Sequence, residues 1–253
     1  MATLIPAINS CLARMTPGER RFAQRLEQLL EDDYLCWHDV PVGPKGLHPD
    51  FIVLHPRRGI LILEVKDWKL DTIQQIDKTT ATLLTVDGLK REANPLEQAR
   101  QYCHAVVKCL ERDPQLVYPP DHAFKGKLII PFGHGVVLSN INRQQFDSTD
   151  LGEVIPANRV ICKDEMLEAT DPEKFQTRLW NMFTVQFRRA LSLPQIDRVR
   201  WRRDGGPDSG TSSCSARTAT RVSSRPTDSS SASSRAAWSC RSSTGRSLNA
   251  RWM

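Results

Sequence analysis

The stretch Pro49-Asp50-Phe51-Ile52-Val53-Leu54-His55-Pro56-Arg57-Arg58-Gly59-Ile60-Leu61-Ile62-Leu63-Glu64-Val65-Lys66 decides how this chain is read. Two apolar runs flank a Pro-Arg-Arg-Gly turn, the pattern of an antiparallel hairpin. Ile60 to Leu63 has no polar interruption, so this strand is expected to be buried on both faces. Side chains alternate along a strand, which puts Glu64 and Lys66 on one face and Val65 on the other. A three-residue loop, Pro56 to Arg58, pairs His55 with Gly59 and sets Asp50 opposite Glu64. A two-residue loop would set Asp50 opposite Val65 instead. Two carboxylates and an ammonium at the end of a buried hairpin are costly unless something compensates them.

A divalent cation would compensate them. Mg²⁺ takes oxygen ligands and keeps several waters, so Asp50, Glu64 and the Val65 carbonyl make a sufficient set. Lys66, on the same face, would orient a metal-bound water or offset developing negative charge. The same residues also allow a plain ion pair between Lys66 and either carboxylate.

Working outward, Thr16-Pro17-Gly18-Glu19 opens a helix with Thr at N-cap, Pro at N1 and Glu at N3. Phe22, Leu26, Leu29 and Leu30 continue it with an apolar face. Glu19 thus has a capping role available to it. Tyr34 to Val42 reads as a strand, followed by a Gly-Pro-Lys-Gly loop; His48 stands just before Pro49, and the turn residues Arg57 and Arg58 read as solvent-facing. Residues 71 to 90 read as two strands with a turn at Asp87-Gly88. Asn94-Pro95 opens a second helix to about Glu111, on which Gln98 and Tyr102 share a face. Lys127 to Pro131, Gly135 to Leu138 and Arg159 to Cys162 read as further strands. Asp171-Pro172 starts a helix to about Leu191 with Phe175, Leu179, Trp180, Phe183 and Phe187 on its apolar side. Residues 1 to 15 show no strong pattern. The order of elements predicts an α/β fold, a mixed sheet flanked by helices, over residues 12–195.

Pro49-Asp50 followed by Glu64-Val65-Lys66 resembles the PD-(D/E)xK nuclease signature. The wider text, from Pro17-Gly18-Glu19 through Glu64-Val65-Lys66-Asp67-Trp68-Lys69, resembles the nuclease-related domain, NERD, over about residues 16 to 135. The resemblance implies a restriction-endonuclease-like fold and Mg²⁺- or Mn²⁺-dependent hydrolysis of DNA. In it Asp50 and Glu64 are metal ligands, Lys66 assists the attacking water, and Glu19, a first-helix acid, reaches the metal cluster. Gln98-x-x-x-Tyr102 is similar to a motif of the RecB-like branch, where the pair lies beside the cluster and positions DNA; Tyr102 as a core residue remains the other reading. In several NERD proteins a superfamily-1 helicase follows. This chain has no G-x-x-x-x-G-K-[ST], so a helicase would act as a partner or a missing module. A non-catalytic DNA-binding or interaction module, or a truncated fragment of a NERD–helicase protein, is the rival function.

The formal charge of +6 belongs to the C-terminal end. From residue 202 onward there are nine Arg, no Lys and three Asp, whereas residues 1–201 hold 26 basic and 26 acidic side chains. Nucleic-acid binding by the body must therefore come from local patches rather than a global field. Residues 202–253 lack Lys, Glu, Gln, Ile, Phe, Tyr and His, a composition expected to be disordered and consistent with text read out of frame. The seven cysteines are scattered, with no C-x-x-C and no zinc spacing, which predicts reduced, buried thiols. No signal-peptide pattern and no membrane-length apolar run is present, so a cytoplasmic location is expected.

Overall fold

The computed structural model describes residues 1–183 and 190–203. Its centre is the hairpin read above: β3 (Phe51–His55) and β4 (Gly59–Lys66) pair antiparallel, with His55 opposite Gly59 and Phe51 opposite Leu63. The loop is therefore the three-residue one. Gly59 has φ +112° and any side chain there would strike the Pro131 carbonyl, so the turn needs glycine on both counts.

Around the hairpin, β1 (Thr3–Ile5), β2 (Leu35–His38), β8 (Phe132–Leu138) and β9 (Val160–Cys162) complete a six-stranded sheet in the order β1-β2-β3-β4-β8-β9. β2 runs antiparallel to β3, while β4, β8 and β9 are mutually parallel. β4 is thus central, and Ile60 to Leu63 are buried throughout. Parallel pairs need crossovers, and α3 (Pro95–Leu110) together with α4 (Arg143–Asp147) and α5 (Leu151–Val154) lies in those connections.

Two layers cover the sheet. On one face α2 (Pro17–Leu29) and α6 (Pro172–Trp180) bury Phe22, Leu26, Phe175 and Leu179 against Leu61, Leu63, Val137 and Ile161. On the other, α3 buries Cys103, Val106 and Leu110 against Trp37, Leu54, Ile60 and Ile62. α7 (Leu193–Arg203) adds Val199 to that second layer. A separate antiparallel sheet, β5 (Ile73–Ile76), β6 (Thr80–Thr85) and β7 (Gly88–Ala93), packs Ala81 and Leu83 under Trp68. Trp68 is a core residue.

Several expectations differ in detail. Residues 1 to 15 hold β1 and the short α1 (Ile8–Cys11), so the sheet begins before residue 12, and α7 runs past residue 195. β1 is three residues long and takes its order from pairing with β2, which no local periodicity announces. Residues 71–90 belong to a three-stranded sheet rather than two strands. Lys127 to Pro131 makes only one bridge, Val117 with Leu128, and the strand starts at Phe132. α6 ends at Trp180, capped by Asn181, short of the expected Leu191. Phe187 and the tail expectation from residue 204 lie outside the described residues.

Candidate active site

The β3–β4 ladder stops at Phe51 and Leu63. Beyond it, Val65 N–H has no strand partner on that side and donates instead to Asp50 Oδ2 at 2.7 Å. The carbonyl of a strand residue points to the same side as its N–H, so Val65 C=O also faces Asp50. Glu64, 2 % exposed, accepts from Lys66 Nζ through Oε1 at 2.9 Å. Its other oxygen, Oε2, is buried with no hydrogen-bond partner. Burial pushes the Asp50 carboxyl up to about 8; the Glu64 and Glu19 charges push the same way, and the Val65 N–H and Lys66 oppose them. Glu64 is also raised, by burial first, with Lys66 opposing. Burial draws Lys66 down, but the Glu64 and Asp50 carboxylates more than offset it, and its net shift is upward. Asp50, Glu64 and Lys66 are thus brought together at one end of the sheet.

Glu19 arrives from the other layer. The Thr16 side chain accepts from Glu19 N, as the helix start predicts, but the Glu19 carboxylate does not close the reciprocal cap. It receives the Thr16 hydroxyl at 3.2 Å on Oε1 and meets His38 Nε2 at 3.0 Å with Oε2. Its charge still acts on Asp50 and Glu64. Among the described residues no group of three or more His, Cys, Asp or Glu side chains is arranged to hold a metal. A metal set here would therefore be the two carboxylates with the Val65 carbonyl, and Glu19 stands behind it. The donor chemistry fits a hard divalent cation: the buried Glu64 carboxylate with an orphaned oxygen, the half-buried Asp50 carboxylate, and a carbonyl freed from the ladder.

Gln98 Nε2 donates to the Tyr102 hydroxyl at 3.0 Å, so the two do act as a pair. Tyr102 is half-buried against the α3 core, and no hydrogen bond joins the pair to Asp50, Glu64 or Lys66. α3 does cover the sheet face that carries Glu64 and Lys66, since Ile60 and Ile62 share that face. His48 Nδ1 pairs with Asp39 at 2.8 Å. Arg58 is exposed but lies over the Trp180 ring, 4.5 Å from its centroid, rather than reaching into solvent alone.

Sequence reading missed four contributors. His38 is 2 % exposed on β2 and stacks near Phe51, on the α2 face; the alternation of Cys36 and His38 in a strand was the signal available. Glu92 on β7 lies close enough for its charge to act on Glu64 and Lys66, while it pairs with Lys90 at 2.8 Å. Asp67 accepts from Gly18 N at 3.0 Å and from the Ser139 hydroxyl. Ser139 N in turn donates to the Lys66 carbonyl at 3.0 Å. This clasp pins the start of α2 to the end of β4, and a side chain at Gly18 would overlap the Asp67 carboxylate and Ser139. The Gly in Pro17-Gly18-Glu19 is therefore a close-approach residue.

The sequence model of the nuclease-related domain family, NERD, matches residues 15–131. That span runs from the residue before the Thr16 cap to the residue before β8, and so contains Glu19, Asp50, Glu64, Lys66, Gln98 and Tyr102. No curated protein and no solved structure matches the chain.

Proposed function

Because residues 15–131 are a nuclease-related domain, with a fold consistent with the PD-(D/E)xK superfamily, we propose that the protein is a metal-dependent nuclease hydrolysing DNA phosphodiester bonds. The observation that carries this is the buried Glu64 carboxylate with Oε2 unpartnered beside Asp50, whose own carboxyl is pushed up to about 8. A structural ion pair would need one carboxylate for Lys66; the second has no structural use of that kind. Asp50, Glu64 and the Val65 carbonyl would hold Mg²⁺ or Mn²⁺, which would supply Lewis-acid activation of water and neutralise charge on the phosphoryl oxygen.

The remaining work falls to the chain. Lys66 Nζ, fixed on Glu64 Oε1, presents an ammonium that donates to the attacking water or to the developing oxyanion. The Val65 N–H keeps the Asp50 carboxylate turned toward Glu64. Glu19, steadied by Thr16 and His38, adds negative potential that favours a cation over an empty site. Gln98 and Tyr102, hydrogen-bonded to one another on α3, would position the strand. A helicase acting on the same DNA is a partner of suitable chemistry. Among the described residues no helix is long and apolar enough to cross a membrane.

The test is incubation of the full chain with supercoiled and linear DNA in Mg²⁺, in Mn²⁺ and in EDTA. Cleavage that requires the metal supports the reading. A folded protein that cleaves nothing under any of these conditions leaves the fold as a non-catalytic binding module.

A further inference from the structure

The body of the chain is electrically neutral, so a nucleic acid has to find its charge in one place. One cleft concentrates it. Between α3 and the loop joining β2 to β3 lies a cavity of about 490 Å³. Lys45 enters from the loop, His104 and Lys108 from α3, and Arg112 from just past its end; no carboxylate lines it. Lys45 and Lys108 are exposed, and neither side chain makes an ion pair among the described residues. His104 and Lys108 lie four residues apart on α3, and Arg112 follows four residues later just past its end, so Lys45, Lys108 and Arg112 supply the positive charge. The opposing wall is apolar, with Pro44 and Leu47.

The cleft leads to the proposed site. Leu96 near the start of α3 packs against the cluster that holds Val136 and Leu138, the partners of Glu64 and Lys66, whereas Cys103 lies by Gly133, the partner of Leu61. α3 therefore descends from the Lys66 end of β4, and His104 follows Tyr102 by two residues on the same helix.

We infer that this cleft binds a single-stranded segment of nucleic acid and feeds it past Gln98–Tyr102 to Asp50, Glu64 and Lys66. The inference rests on the nuclease reading for its destination. Cations track the phosphates, while the Pro44–Leu47 wall and the His104 ring face sugars and bases. A duplex hides its bases and would leave that wall without a partner.

The experiment measures binding of a labelled single-stranded oligonucleotide to the full chain in EDTA, as a function of salt. Three proteins are compared: wild type, Lys45→Ala/Lys108→Ala, and a charge-matched control, Lys125→Ala/Lys163→Ala, on exposed sites elsewhere. The C-terminal arginines contribute equally to all three. The cleft variant is expected to bind about 10-fold more weakly at 50 mM salt, with a log–log salt slope shallower by about 1.4 for two lost phosphate contacts. The control is expected to match wild type. Equal behaviour of the two variants, no binding by wild type, or displacement by duplex as good as by single strand would each overturn the inference. If the double variant does not fold, Lys45→Ala alone, in the loop, carries the same comparison with half the slope change. Cleavage in Mg²⁺ separates the two claims. Wild type that binds through the cleft but never cleaves removes the nuclease reading only; a cleft variant that binds and cleaves like wild type removes the cleft only.

Discussion

At the scale of single residues, Asp50 is held where its charged form is disfavoured. Its folded-state value of about 8 lies above the ordinary carboxylate range near 4, so the folded protein keeps a proton that the unfolded chain has released. Stability from this group is full below about pH 4 and is lost as pH rises toward 8. In EDTA the urea midpoint is therefore expected to fall across that window, and Asp50→Asn to remove most of the fall, gaining on the order of 2 kcal/mol at pH 8. An unchanged pH profile in the variant would place the burden elsewhere. Gly18 gives a second residue-scale expectation. A methyl group there meets Asp67 and Ser139, so Gly18→Ala should cost about 1–3 kcal/mol by chemical denaturation. A neutral result would show that the clasp between α2 and β4 yields easily.

Elements carry the next set of constraints. Asn94 is 1 % exposed; its side-chain oxygen caps Leu96 N at 2.8 Å, and its amide donates to the Asp77 carbonyl at 2.7 Å. One residue thus starts α3 and ties it to the end of β5. Asn94→Ala is expected to lose about 2 kcal/mol, measured by urea unfolding, because the cap is removed and a donor to a carbonyl goes with it. Asn94→Asp should restore the cap but not the bond to Asp77. The elements also show what a sequence can reveal. The Pro56 to Gly59 turn and the unbroken run Ile60 to Leu63 announced the hairpin, since turn residues and apolar runs are local properties, while the choice between a two- and a three-residue loop came with the observed pairing of His55 and Gly59. The caps at Thr16, Asn94 and Asp171 are local in the same way. β1 was not legible: three residues whose pairing with Leu35 to Trp37 is entirely long-range. His38 and Glu92 escaped for the same reason, each lying far in sequence from what it faces. Glu19 was legible in position and misread in contact, because a buried histidine competes for the carboxylate that the reciprocal cap would have used.

For the molecule as a whole, the account makes one end of a six-stranded sheet into a phosphodiester-cleaving site. The hairpin presents Asp50, Glu64 and Lys66, α2 backs them with Glu19, and α3 lies over the same sheet face and lines the cationic cleft. The claim that binds these parts together is that the hairpin carboxylates are the catalytic centre. The most direct measurement is the initial rate of Mg²⁺-dependent DNA cleavage by wild type, Asp50→Asn and Glu64→Gln, each with its thermal midpoint recorded in EDTA. The account predicts a loss of at least about 100-fold in both variants, with the Asp50→Asn midpoint equal to or above wild type because a carboxyl whose charged form is disfavoured there has been made neutral. Metal-dependent cleavage at the wild-type rate by either folded variant would contradict it.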